Sequence, residues 1–245
     1  MKLTFQPAPG RLPPDLRIYA IGDVHGCDEA HAAILGRIAA DYAARPVEEA
    51  VIVHMGDLID RGPNSAAVLA RIAHGPPIPG EMVNLRGNHE DLCLTAIDGW
   101  GDTAALWRRN GGDACLADWG VPKRTPVEQW ERFIPPDQLA VIRHQRISYR
   151  RGGYFFAHAG LRPGVPMMEQ DPHDLIWIRE PFLSWTHPHE AVVVHGHTPK
   201  DKPMIRTNRI GIDTGAVYGG KLTALVLEED RMAFIQVPGP KKPRK

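Results

Sequence analysis

Five short stretches, each only a few residues long, concentrate side chains able to bind cations or move protons. They are Gly22-Asp23-Val24-His25-Gly26, Gly56-Asp57-Leu58-Ile59-Asp60-Arg61-Gly62, Gly87-Asn88-His89-Glu90, His158-Ala159-Gly160 and His195-Gly196-His197-Thr198. Carboxylate, amide and imidazole donors occur together there, with no thiolate among them. Such a mixture suits Mn²⁺, Fe or Zn²⁺ better than a structural cysteine-bound zinc. In extended chain, residues two apart point to the same side, so Asp23 and His25 can grip one ion together. The whole set is large enough for two cations. The 12 histidines outnumber Met, Trp, Tyr or Phe taken singly, and imidazole is the usual acid/base group near neutral pH.

Each stretch follows a segment with strand character, so the elements that position it can be read as well. Residues 17–21 form a short strand, and a helix from Asp28 keeps Ile34, Leu35, Ile38 and Tyr42 on one face. The pattern repeats with a strand at 51–55 and a helix over 64–74, capped by Asn64 and stopped by Gly75. A third strand at 81–85 leads into a helix from about Glu90 to Ile97. This alternation predicts an α/β fold whose ligands collect at the carboxyl ends of the strands. Residues 99–150 change character, with Trp100, Trp107, Trp119 and Trp130 and a helix over 136–145, and read as an inserted helical cap. The tryptophans there are either core or the wall of a substrate groove. Strands follow at 154–157, 191–194, 209–212, 222–227 and 232–237, and are expected to build a second, more antiparallel sheet. Residues 1–16 read as an extended Pro-rich lead-in, 17–237 as a single domain and 238–245 as a basic Pro-rich tail.

Composition narrows the class. Lys and Arg number 29 against 29 Asp and Glu, so the neutral chain argues against a nucleic-acid coat. Cys27, Cys93 and Cys115 are an odd number without a CxxC pair, which fits a reducing compartment, with cytoplasm the expectation. No apolar run of about 18 residues is present to span a bilayer, and prolines at 7, 9, 13 and 14 occupy the place where a signal peptide needs an apolar stretch. No fixed-period repeat occurs.

Taken in order, the five stretches resemble the calcineurin-like metallophosphoesterases, and within them the phosphoprotein phosphatases in their short bacterial and phage-lambda form. Trp177-Ile178-Arg179-Glu180 and Ile212-Asp213-Thr214-Gly215-Ala216-Val217 add to the resemblance, which spans residues 17–237. It implies a β-sandwich of two mixed sheets flanked by helices, with a small cap insertion. It also implies that Asp23, His25 and Asp57 hold one divalent metal, while Asp57 bridges to a second held by Asn88, His158 and His197. Mn²⁺ is the expected ion, with Fe or Zn²⁺ as alternatives. His89 is implied as general acid, Asp60 as the carboxylate that orients it, and Arg61 and Arg179 as phosphate-gripping arginines.

The implied activity is hydrolysis of phosphoserine and phosphothreonine in proteins, or of small phosphoesters, with no nucleic-acid or membrane partner. A symmetrical bis(5'-nucleosyl)-tetraphosphatase is the nearest rival, and an inactive phosphate-binding module is a third reading. Glu90 and Asp60 favour the phosphatase, since the tetraphosphatases usually carry Asp in the first place and lack the second carboxylate. No matched position is substituted, which disfavours the inactive module. His195 and His54 read as structural, and Cys27 as a small buried residue. His31, His74, His144, His173, His187 and His189 read as solvent-exposed, and the basic residues 241–245 as a solvated tail.

Overall fold

Successive residues of the central strands face different cores, which sorts the chain into layers. The computed structural model describes residues 3–99 and 102–241, so Trp100 and residues 242–245 of the basic tail lie outside the described residues. The strands are β1 (Gln6–Pro7), β2 (Leu16–Ile21), β3 (Glu49–His54), β4 (Glu81–Asn84), β5 (Ser148–Arg151), β6 (Tyr154–Ala157), β7 (Val192–His195), β8 (Met204–Ile205), β9 (Arg209–Gly211), β10 (Lys221–Glu228) and β11 (Arg231–Pro238). They make a six-stranded sheet ordered β1-β11-β10-β2-β3-β4 and a five-stranded sheet ordered β5-β6-β7-β9-β8. Ile18, Ala20, Val51 and Val53 of the first sheet meet Tyr154, Phe156, Val192 and Val194 of the second in one core. The alternate residues Tyr19, Ile21 and Ile52 face the helices, and Phe155, Ala157 and Val193 face a third cluster. This period of two is what a strand buried on both faces produces.

The second sheet differs from the expected antiparallel one. Its centre, β6-β7-β9, is parallel, and only the edge strands β5 and β8 run antiparallel to their neighbours. The β10-β11 hairpin instead extends the first sheet, pairing β10 with β2. The reason lies in burial on two faces. Leu225, Leu227 and Met232 fill the core between the sheets, while Ala224, Val226 and Ile235 face the helices. A hairpin pattern shows that two strands pair with each other but not which sheet they join.

Helices α1 (Asp28–Ala44), α2 (Ser65–His74) and α3 (Asn88–Ile97) pack on the outer face of the first sheet. Asn64 caps α2 by accepting from the Ala67 N–H at 3.1 Å, and Gly75 ends it at φ 102°. Helix α3 starts two residues before the expected Glu90, because the Glu90 carboxylate accepts the Gly87 N–H at 2.9 Å and caps the turn from within. Asn88 and His89 are therefore in the first helical turn. Residues 102–143 form α4 (Thr103–Trp107), a kink at Gly111, α5 (Asp113–Asp118), a 3₁₀ stretch and α6 (Pro136–Arg143). Their Trp107, Trp119 and Trp130 are buried in the same core as α1–α3, which makes these tryptophans core residues. Helix α7 (Pro172–Trp177) lies beyond the second sheet, where Leu175 joins the third cluster. No helix among the described residues is long and apolar enough to cross a membrane.

His31 corrects an expectation. It is buried, with Nε2 at 2.9 Å from Nε2 of His54, because it shares the face of α1 that carries Ile34, Leu35 and Ile38. His74, His144, His173 and His187 are exposed, and His189 is half-buried. All three cysteines are free and buried, and burial pushes the Cys27 thiol up to about 12.

Candidate active site

Parallel strands β2, β3 and β4 in one sheet and β6, β7 and β9 in the other send their following loops to a common place. There Asp23, His25, Asp57, Asn88, His89 and His197 line a cavity of about 260 Å³, together with Arg61 and Arg179. His158 is fully buried just behind it, with Nε2 at 3.4 Å from Asp57 Oδ1. A larger groove of about 740 Å³ lies between residues 7–9, 183–186 and 205–209, and none of these side chains borders it. Backbone strain singles out the first cavity. Among the described residues, seven non-glycines have positive φ, and five of them are His25, Asp57, Asp60, Arg61 and His197. Strained backbone persists where the surroundings fix it, and it gathers at functional sites. The loops also approach closely: a Cβ on Gly87 would collide with Asp57, so only glycine lets the third loop pass the second.

Local hydrogen bonds fix how the histidines face the cavity. His25 Nδ1 donates to the Ile59 carbonyl at 2.8 Å, and His158 Nδ1 to the Met55 carbonyl at 2.8 Å. Each Nε2 then carries its lone pair inward. Asp57 turns one oxygen to each ring, Oδ2 at 3.4 Å from His25 and Oδ1 at 3.4 Å from His158. Asn88 Oδ1 meets His158 Nε2 at 3.1 Å and His197 Nδ1 at 2.8 Å. Two tight groups result, His25–Asp57–His89 and Asp57–His158–His197, each able to hold a metal ion. Asp23 lines the same cavity, but its carboxylate accepts the His197 backbone N–H at 3.0 and 3.3 Å.

The charge pattern fits a cation. Burial pushes the Asp23 carboxyl well up, and Asp213 and Asp57 add to that repulsion. Burial acts the same way on Asp57, and the neighbouring rings of His158, His89 and His25, when protonated, pull it well below the usual range. Burial lowers His158 and brings His197 down to about 3, so both rings are neutral. A neutral His158 has only one proton, already given to Met55, so its Nε2, Asn88 Oδ1 and Asp57 Oδ1 converge as lone-pair donors. Burial lowers His25 and Asp57 raises it, the second prevailing. Even so, Arg61 approaches His25 Nε2 with an N–H at 2.8 Å, a geometry that only a neutral ring accepts.

His89 is bound on one side only. Its Nδ1 meets Asp60 Oδ2 at 2.7 Å, while its Nε2 is buried without a hydrogen-bond partner. Arg179 is exposed at the rim, near Trp177. The structure thus gathers Asp23, His25, Asp57, Asn88, His89, His158, His197, Arg61 and Arg179, with Asp60 behind His89. His195 stays outside, with Nδ1 on the Gly196 carbonyl, and His54 is hydrogen-bonded in the core as expected.

Sequence reasoning passed over several residues. Asp213 lines the cavity from the loop after β9, and the strand-end rule that pointed to the other cavity residues applies to it too. Glu90, read only as a distinguishing mark, ties the loops together by accepting the backbone N–H groups of Asp57, Leu58, Ile59 and Gly87 at 2.7–3.2 Å. Trp107, Asn110 and Tyr218 reach the site only through tertiary packing.

Comparisons with known proteins agree with this geometry. The chain is 31% identical over 210 residues to the serine/threonine-protein phosphatase 1 of Salmonella typhimurium, covering 84% of this chain and 89% of that protein. It is 25% identical to the asymmetrical bis(5'-nucleosyl)-tetraphosphatase PrpE of Halalkalibacterium halodurans, covering 89% and 92%. A crystal structure provisionally described as a diadenosine tetraphosphatase superimposes with a TM-score of 0.66 at 22% identity, covering 92% and 95%, and supports the fold. The family model for calcineurin-like phosphoesterases matches residues 16–231, which include every loop of the cavity. Loops that converge on two groups of metal-type donors, carried on two mixed sheets, therefore have their explanation in descent: the chain belongs to the calcineurin-like phosphoesterase family, whose members use divalent metals.

Proposed function

We propose that this protein is a metal-dependent serine/threonine protein phosphatase built as one domain over residues 17–237, with 99–150 inserted. The observation that carries the reading is His89, held by a carboxylate on Nδ1 while Nε2 is buried without a partner, in a ring that shares a cluster with His25 and Asp57. Asp23, His25 and Asp57 would hold one divalent ion, and Asp57, Asn88, His158 and His197 the other, Mn²⁺ before Fe or Zn²⁺. When bound, such ions supply concentrated positive charge to the phosphate oxygens and to the attacking water. Arg61 and Arg179 bind the remaining phosphate oxygens, each through a planar fork of N–H groups. His89 gives its Nε2 proton to the leaving oxygen as the ester P–O bond breaks, and Asp60 keeps the ring aligned and favours its charged form. The free, buried cysteines accord with work in the cytoplasm.

The decisive experiment is His89→Asn, assayed on a phosphoserine peptide and on p-nitrophenyl phosphate. Loss on the peptide is expected at roughly 10²–10⁴-fold, and far less on the nitrophenyl ester, whose leaving group needs little protonation. Equal losses on both would remove His89 as the acid. The relatives named PrpE favour a second reading, hydrolysis of dinucleoside tetraphosphates, and their names specify asymmetrical cleavage where the sequence suggested symmetrical. Diadenosine tetraphosphate would then yield ATP and AMP, or two ADP if cleavage is symmetrical, faster than the peptide yields phosphate. Absence of turnover on every phosphoester would leave a binding module.

A further inference from the structure

The partner of His89 is itself held, by a residue of the inserted segment. Asp60 Oδ2 accepts two hydrogen bonds, from His89 Nδ1 at 2.7 Å and from the indole Nε1 of Trp107 at 2.8 Å. Its other oxygen, Oδ1, is buried with no hydrogen-bond partner among the described residues, so the bonds from His89 and Trp107 to Oδ2 orient the carboxylate. Trp107 is fully buried at the end of α4 and packs against Trp130 and Trp119, with ring centroids 5.8 and 6.4 Å away. After it the chain turns back over the indole: a Cβ on Gly112 would come within 2.6 Å of the Trp107 ring. The same turn accepts the Arg61 backbone N–H on the Gly111 carbonyl, at 3.2 Å.

We infer that Trp107 is a positioning residue, whose indole N–H fixes the Asp60 carboxylate in the orientation that aligns His89 for proton transfer to the leaving group. This rests on the reading of His89 as general acid. Two features separate the role from plain core packing. A tryptophan serving only as filler needs one hydrogen-bond partner of any kind, and Trp130 in the same cluster has found one in the Thr125 carbonyl. Trp107 spends its donor on the one oxygen that also orients His89, in a buried setting where a charge-assisted bond is strong and directional. The insertion thereby serves the chemistry from behind.

The test compares Trp107→Phe, which keeps an aromatic ring but loses the donor, with Trp130→Phe and His89→Asn. Each is assayed with phenyl phosphate, a poor leaving group, and p-nitrophenyl phosphate, a good one. For Trp107→Phe, kcat on phenyl phosphate should fall about tenfold or more relative to the nitrophenyl ester, with KM unchanged. Trp130→Phe should leave that ratio at the wild-type value. If Trp107→Phe fails to fold, benzothienylalanine at position 107 replaces the N–H by sulfur at nearly constant shape and should give the same ratio. A wild-type ratio in a folded protein lacking the donor overturns the inference. If His89→Asn also leaves the ratio unchanged, the general-acid reading itself fails, which is a distinct result.

Discussion

Two histidines, both fully buried, differ in the group that receives the Nδ1 proton. His89 gives it to the Asp60 carboxylate at 2.7 Å, and His54 gives it to the Asn84 amide oxygen at 2.8 Å. On the far side, His89 Nε2 is free at the cavity, whereas His54 Nε2 meets His31 Nε2 at 2.9 Å. Arg71 closes the second chain, with NH1 at 3.4 Å from His31 Nδ1 and at 2.6 Å from Asp28. An arginine only donates, so the protons of that chain run one way, from Arg71 through His31 and His54 to Asn84, with both rings neutral. Burial drives both down, His54 to about 4. One charged acceptor thus separates a histidine whose second nitrogen is left open at the cavity from one locked as a neutral link.

The strongest way to break the contrast is Asp60→Asn, which gives His89 the acceptor that His54 has. An amide neither stabilises the imidazolium nor enforces the tautomer. Turnover of a phosphoserine peptide should drop by roughly 10²–10⁴, the range seen when an orienting aspartate is lost beside a catalytic histidine. Thermal melting should show the fold retained. A kcat within a few-fold of wild type would mean that the carboxylate is dispensable.

Glu90 gives the second prediction, on stability. It sits on α3 beside His89 and accepts N–H groups from Leu58 and Ile59, just before Asp60, so it straps the segments of His89 and Asp60 together. Burial, joined by the Asp57 charge, pushes its carboxyl up to about 7 against the pull of those N–H groups. Glu90→Gln turns an amide NH₂ toward two backbone N–H groups and leaves them unpaired. A loss of roughly 2–5 kcal/mol is expected in urea unfolding. Unchanged stability would show that the strap carries no tension.

How far the sequence revealed these features depends on range. The cavity loops were legible because each follows a strand, and a strand end projects its side chains whatever lies across from it. His31 was also within reach: it lies three, four and seven residues before Ile34, Leu35 and Ile38 on the buried face of α1, so helical periodicity alone should have placed it inside. The position of β10 and β11 was not legible, since the pairing of β10 with β2 joins residues some two hundred positions apart. Trp107 was legible only as an apolar residue. Its contact with Asp60 exists because 102–143 packs into the first core, a fact about the assembled helices and not about any local pattern.

The weakest effect sharpens the comparison from the other side. His54 has a folded pKa of about 4 against about 6.5 unfolded, so below pH 6.5 the unfolded chain takes up a proton that the folded one refuses. Stability therefore falls as pH falls through this window, by about 2 kcal/mol from His54 at pH 5, since each pH unit costs about 1.4 kcal/mol. Asn84→Asp supplies the carboxylate that His54 lacks and should raise its pKa by about 1–3 units. Unfolding free energies at pH 7 and pH 5 should then differ less in the variant than in wild type, and the His54 ring should titrate at higher pH by NMR. The gain has a limit set by geometry. A second proton on His54 faces His31 Nε2, so His31 must carry its own proton on Nδ1 against the Arg71 N–H, and part of the carboxylate's attraction goes into that collision. If acid costs Asn84→Asp as much as wild type, the acceptor is not what separates the two histidines, and the free Nε2 of His89 is.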